Sequence, residues 1–544
     1  MVAIVSGSGL GTLNTSLGIL GQAGVVGNAQ NGNAKESVII NAANGNLVVR
    51  EKDDFLAGVG NSDLELSRTY NSQATFTDGN GPNWKIGQTK RLVDMMNSYN
   101  QPNSTITRID SDGSATIYRY DTTRELYIST DGDGGYKTIR KMANLQWIWR
   151  DEREGAIGQD KNGKYEIYDL ANNGGMILSS GDSGGERVRY SYGSDRKLNQ
   201  IFYSSSTEYV VCHYDSNGNL SYYGLSINGK SKEWIRVYYG YDAQNRLTTV
   251  KTDLTPDDNS ITDNIVYTTT YTYESSSNRL ASITQSDGSY LGFTYDAQQR
   301  VKTVTDALSR VTTFDYLTGG KTKVTDPLNK STVLTYDVKG QLTDLEAPAI
   351  NGVSQRTHFE YDSNGNVSLV RDPLGLETTY NYDANGNRIL ERDAAGNTIT
   401  RVYDLVTNNL LSETRYLTPD PDGSGSAQAS LPLTTRYVYN SLNQLRFIVS
   451  PEGRVQEYRY NDRAMRASAI SYLVNNTTPD PTETALTAWT KGSTVRSASK
   501  ILVMRCRRMF MIKPGNCGRA STSSIARPAT NTMAWEDRCM RSMR

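Results

Sequence analysis

The sequence predicts an all-β protein built as an array of antiparallel β-hairpins, and three observations carry that prediction. A Tyr-Asp phrase recurs at Tyr214-Asp215, Tyr241-Asp242, Tyr295-Asp296, Tyr336-Asp337, Tyr361-Asp362, Tyr382-Asp383 and Tyr403-Asp404, with worn copies at Tyr439-Asn440 and Tyr460-Asn461. Its acidic or amide position steps by 21 residues from 362 to 383 to 404, and again from 440 to 461. A fixed period in this range marks a stack of one small structural unit. Strand-and-turn punctuation recurs throughout, whereas no long stretch carries apolar residues at the three-and-four spacing of an amphipathic helix.

Taken in order, residues 1–36 form a Gly-rich stretch read as a flexible lead. It holds no Lys or Arg before Lys35, and a secretory signal opens with positive charge, so no Sec signal is expected. Residues 37–190 read as an N-terminal β-region and 191–473 as the repeat array. One unit shows the logic. Asp372-Pro373-Leu374-Gly375 is a turn, because proline presets φ and glycine permits a tight reversal. Residues 377–382, rich in Thr and Tyr, read as a strand, 383–387 as a hairpin turn whose Asn and Gly tolerate positive φ, 388–392 as the return strand and 393–397 as the next turn. Two strands of ~6 residues and two turns of ~4 account for the period.

A second aromatic precedes the repeat tyrosine by two positions in Tyr239/Tyr241, Tyr271/Tyr273, Phe293/Tyr295, Phe359/Tyr361, Tyr380/Tyr382 and Tyr437/Tyr439. Strand side chains alternate between faces, so both members of a pair share one face, and successive hairpins line that face with rings. Tyrosine suits this place because its ring packs while its hydroxyl finds water or a partner. With 35 Tyr against 8 Phe, the ring face is expected to lie on the concave side and to be capable of lining a hydrated cavity.

Charge excludes some partners. The chain holds 58 basic and 58 acidic residues, but eight Arg and one Lys fall in 501–544, leaving 49 basic against 56 acidic before it. A mildly acidic body argues against nucleic acid, which is bound through clustered Lys and Arg. No apolar run approaches the ~18 residues of a membrane span. Cys212 lies on the ring face and reads as a packing residue. His213 and His358 lie on the opposite face and converge with no partners that would make a metal site or a catalytic triad. Asp383, Asn385 and Asn387 alternate like calcium ligands, but Gly386 stands fourth and Ala394 twelfth where an EF-hand loop needs Gly sixth and Glu twelfth. The repeat aspartates are therefore read as turn residues, with no catalytic, cofactor or metal site.

Composition breaks near Lys500. Tyrosine vanishes, and six of the 12 Met lie from Met504 onward. Regrouping each codon's third base with the next codon's first two makes Met509-Phe510 encode Val, Met511-Ile512 encode Asp and Asn516-Cys517 encode Leu. All three fit a repeat like Tyr437-Val438-Tyr439-Asn440-Ser441-Leu442-Asn443-Gln444-Leu445-Arg446. Residues 501–544 are thus read as an out-of-frame tail, with a linker over 474–500 and the break between roughly Ala485 and Arg508.

The repeats, together with Ile40-Asn41-Ala42-Ala43-Asn44-Gly45-Asn46-Leu47-Val48 and Leu64-Glu65-Leu66-Ser67-Arg68-Thr69-Tyr70-Asn71-Ser72, resemble the Rhs (YD-repeat) family, related to toxin-complex proteins and teneurins. The resemblance implies a spiral β-shell, here partial. It implies a non-catalytic shell of a polymorphic toxin whose partner is a C-terminal toxin domain encoded downstream, and an extracellular or cell-surface location. Asp372-Pro373-Leu374-Gly375-Leu376 is similar to the start of the family's self-cleavage motif, yet it occupies an ordinary array turn with further repeats after it. Glycans or a secretion apparatus are further candidate partners. The alternative, from a different class, is a surface adhesin or carbohydrate binder using the tyrosine ladder.

Overall fold

A computed structural model of the chain describes residues 2–12, 15–16, 30–31, 36–56, 64–75, 79–129, 137–150, 164–171, 174–182, 185–203, 208–226, 233–404, 409–420, 422–423, 428–441, 444–460, 466–472, 476, 482–491 and 495–500. The chain divides into two compact units, Met1–Met504 and Arg505–Arg544, and all described residues belong to the first.

The unit is nearly all β. A six-stranded sheet comes first, running Ala3–Val5, Glu36–Asn41, Leu47–Leu56, Leu64–Asn71 and Trp84–Ile86, with Gln30–Asn31 beside the second. The strands from Arg91–Met96 to Met176–Asp182 then pair each with the next, and Met176 pairs back on Arg91, so this part of the sheet closes on itself. From Gly185–Tyr192 to Val495–Lys500 the strands form one antiparallel series, each hydrogen-bonded to its successor. The all-β hairpin array expected from the sequence is what forms. In the unit at 371–403 the strands are Glu377–Tyr382, Arg388–Arg392 and Thr398–Tyr403.

The main hydrophobic core lies between the six-stranded sheet and the ring face of the repeats. Ile4, Val38, Leu47, Tyr70 and Trp84 from the former pack with Tyr239, Tyr271, Ile283, Phe293, Phe314 and Phe359 from the latter. The closed strands hold a second core around Tyr118, Tyr127, Trp147 and Tyr168.

Two expectations are corrected. Residues 1–36 are not a free lead throughout: Ala3–Val5 is a fully buried strand, parallel to Ile39–Asn41, because its apolar run Ala-Ile-Val completes the sheet that covers the rings. The stretch read as a linker, 474–500, carries a helix, Glu483–Lys491, and the strand Val495–Lys500. The helix buries Leu486 and sets Trp489 on Tyr472 at 5.3 Å, against Phe447, Val449, Val455 and Ile470 on the face opposite the rings. The tail 501–544 lies outside the described residues. Among the described residues no helix is long and apolar enough to cross a membrane.

Candidate functional site: the ring face of the repeat array

Each repeat aspartate builds its own turn. Asp383 Oδ1 accepts the backbone N–H groups of Asn385 at 2.8 Å and Asn387 at 2.9 Å, and Gly386, at φ 76°, supplies the left-handed step. A bulge between Asn381 and Tyr382 follows from that geometry, the mark of a hairpin loop that ends in a left-handed residue. The pattern repeats at Asp215, Asp242, Asp296, Asp337 and Asp362. Asp404 closes its turn through its backbone N–H, which donates to Asn409. These carboxylates are engaged by backbone donors, as Asx-type turns require. Among the described residues no cluster of His, Cys, Asp and Glu is disposed to hold a metal.

Several repeat tyrosines tie their hairpin to the one before. Tyr214 donates to the Leu198 carbonyl, Tyr241 to Leu220, Tyr295 to Leu280, Tyr361 to Leu342 and Tyr382 to Val367, all at 2.7–2.8 Å. Tyr336 lies 3.2 Å from the Thr322 hydroxyl. Each accepting carbonyl belongs to the first residue after the preceding turn, where the bulge breaks the ladder. Cys212 is buried on this face, packed in the main core, and burial pushes its thiol up to about 12. On the opposite face His213 contacts Glu233 at 2.8 Å and stacks on Tyr222, while His358 contacts Asp344 at 2.8 Å.

From Val188 to Phe359 the six-stranded sheet covers the rings, so this part of the face, which could have lined a hydrated cavity, is instead packed into the core. Polar anchors fix the cover. The Tyr70 hydroxyl donates to the Asn278 carbonyl at 2.9 Å and accepts from the Leu280 N–H at 2.9 Å. Trp84 donates to the Tyr273 hydroxyl at 3.1 Å, Val301 N–H to the Gly45 carbonyl at 3.0 Å and Ser6 to the Gly340 carbonyl at 2.7 Å. Arg68, fully buried, pairs with Glu51 and Asp53, donates to Tyr271 and lies 4.8 Å over the Trp84 ring.

Beyond Phe359 the face changes character. Among the described residues from 360 to 446 no hydrophobic side chain is buried. The return-strand positions that hold Leu280 and Ile283, Val301 and Val304, or Val367 and Val370 here hold Arg388 and Glu391, then Leu410 and Glu413; Arg401 replaces the first aromatic of its pair. These charges form a chain across three strands. Arg388 lies 3.4 Å from Glu391, Glu391 3.5 Å from Arg401, Arg401 2.9 Å from Glu413 and Glu413 3.1 Å from Arg415. Burial tends to raise the Glu413 carboxyl, but hydrogen bonds from Arg401 and Arg415 outweigh it and hold it below the usual range. Half-buried Tyr380, Tyr382, Tyr403, Tyr437 and Tyr439 flank the chain, with Arg388 5.1 Å over the Tyr380 ring. This charged stretch escaped the sequence reading, although aligning the return strands of successive repeats exposes the swap from Leu and Val to Arg and Glu.

A family model for the RHS repeat matches residues 361–398, the same open stretch. That stretch is an RHS repeat. A second model, for a domain of unknown function (DUF6531), matches 39–118. Among curated proteins, none matches this chain in sequence. It is similar to chains in three solved structures: TcdB2-TccC3 at 10% identity over 87% of this chain and 32% of that one (TM-score 0.36); TcdB2-TccC3-Cdc42 at 14% over 81% and 29% (0.32); and the Photorhabdus luminescens Tc holotoxin pore at 14% over 82% and 28% (0.31). The chain thus spans about a third of the length of the chains it matches.

Proposed function

We propose that this chain is a non-catalytic structural shell segment of a polymorphic toxin, working outside the cell or at its surface. The open, charged ring face between Tyr361 and Tyr439 would be the wall that receives a C-terminal effector segment. The supporting observation is the change along one continuous face, from apolar and covered by the chain's own N-terminal sheet to charged and uncovered. A wall of paired Arg and Glu with phenols offers hydrogen bonds to a polypeptide without the apolar grip that would trap it permanently. The repeat tyrosines and aspartates serve as its joints.

The test is to express a longer reading that includes downstream sequence and to digest it with protease under native conditions. An enclosed effector is protected until the shell unfolds; an effector cut at the rate of its isolated form counts against enclosure. A second reading, a glycan binder, draws on the half-buried Tyr380 beside Arg388 and Glu391, since rings with paired polar groups stack on sugars. Micromolar binding on a glycan panel, lost in Tyr380→Ala, would favour it.

A further inference from the structure

Because every strand from Gly185 onward pairs with its successor, the turns alternate between two rims of the sheet. One rim carries the Tyr-Asp turns and is where the N-terminal sheet attaches, at Gly45, Gly79 and Ser6. The other carries the intervening turns. We propose that this second rim is a self-association surface, on which a second copy of the chain docks end to end.

Exposed apolar side chains concentrate there. Leu308, Leu328 and Leu374 are 72%, 76% and 84% exposed, and Ile350, Val353 and Leu431 are 61%, 61% and 62% exposed. On the Tyr-Asp rim the counterparts are Val338, fully exposed at its turn tip, and Leu317, 49% exposed at its strand end. Folding does not call for leucine at these tips. The backbone N–H groups of Leu308, Leu328 and Leu374 each donate to the aspartate two positions earlier, and Ala395 does the same in the equivalent turn. The side chain projects freely in each case, so its apolar character answers to something other than the turn.

Several features select a second copy as the occupant. Neighbouring turns on one rim are two strands apart, ~10 Å, so the leucines form a regular row that interdigitates with an identical row running the other way. Taken with these exposures, the row offers on the order of 800 Å² of apolar surface, the share one partner brings to a standard interface. Part of the rim's charge is paired within its own turns, Arg310 with Asp306 at 2.5 Å and Arg371 with Glu377 at 2.7 Å, while Lys330 beside Leu328 stands exposed.

The test uses the purified full chain in light scattering and sedimentation across the micromolar range. The expected particle has twice the 60.2 kDa chain mass. The triple variant Leu308→Ser/Leu328→Ser/Leu374→Ser should shift it to one chain mass with an unchanged circular dichroism spectrum, while Val338→Ser leaves the dimer intact. Should the serine triple misfold, the alanine triple, matching Ala395, replaces it with the same expected shift. A wild-type chain that stays monomeric, a dimer that survives the triple substitution, or an open-ended ladder of masses would overturn the proposal. So would a monomer that instead binds lipid vesicles through the same leucines, which would assign the rim to a membrane surface.

Discussion

The Tyr295 hydroxyl donates to the Leu280 carbonyl at 2.8 Å, and through that bond one repeat is locked to its predecessor at the point where the bulge interrupts the ladder. Leu280 is fully buried beneath Tyr70, so nothing but the phenol's neighbours can replace the bond. The Tyr382 hydroxyl makes the same bond to Val367 at 2.8 Å, but on the open stretch of the face. Tyr295→Phe should therefore cost ~1–2 kcal/mol, the penalty for a buried carbonyl left short of a donor. Tyr382→Phe should cost ~0.5 kcal/mol or less, because water can take over. Urea unfolding of both variants checks the difference; equal losses would mean that the open face is as dry as the covered one.

Backbone conformation gives a second contrast. Gln299 and Gly375 occupy the same left-handed turn position, at φ 65° and 82°. A Cβ added at Gly375 meets nothing within 4 Å, so Gly375→Ala should lose ~1 kcal/mol from backbone strain alone. Gln299→Gly should gain a comparable ~0.5–1 kcal/mol, offset in part by the entropy of the unfolded chain. Opposite shifts in melting temperature are expected.

This position shows how legible the array was. The Asp-x-x-Gly spacing was enough to place the turns, because the chemistry of an aspartate capping its own loop is local. The same holds for the paired rings, whose common face follows from strand alternation. What covers Tyr271 is not local. Trp84 and Arg68 reach it from about two hundred residues away, and no periodicity in 37–86 announces that contact. The buried strand Ala3–Val5 was missed for a similar reason: three apolar residues are too short a run to distinguish from a lead until their partner at Ile39–Asn41 is known.

The cover itself should hinge on Arg68. It is paired with Glu51 and Asp53 and enclosed by Trp84, Tyr239 and Tyr271. Arg68→Met keeps the volume but strands two buried carboxylates, and a loss of ~3–5 kcal/mol is expected. Hydrogen exchange should show the N-terminal sheet loosening first, with strands beyond Phe359 unaffected. A uniform loss of protection would mean that sheet and array unfold as one body.

Acid should act on the turns. A hydrogen bond from Arg310 holds the Asp306 carboxyl below its usual range, and one from Asn397 does the same for Asp393. A carboxylate whose folded pKa is depressed stabilises the fold above its unfolded value of about 3.9, and that contribution disappears as pH falls through the folded pKa. The melting temperature should hold from neutral pH to about 5 and then drop below about 4. Asp306→Asn should flatten that drop slightly while lowering stability at neutral pH.

The last prediction concerns the reading frame. The strand Val495–Lys500 pairs with Arg466–Tyr472, Ser468 opposite Lys500 and Ser471 opposite Ser497, with a bulge before Tyr472 like those before the repeat tyrosines, so the array pattern persists in frame as far as Lys500. That observation narrows the proposed break, first bracketed between Ala485 and Arg508, to the residues after Lys500. The composition change and the three residues dictated by Met509-Phe510, Met511-Ile512 and Asn516-Cys517 then point to repeat sequence in the alternative frame. Sequencing the nucleic acid and reading it one base back beyond codon 508 should yield Tyr-Asp turns at a similar period, with turn aspartates followed two and four residues later by the positions whose N–H groups they cap. Early stop codons in that frame, or third bases at Arg508 and Phe510 that give no tyrosine, would show that residues 501–544 are read as intended. The Arg and Cys they contain would then need an explanation independent of the array.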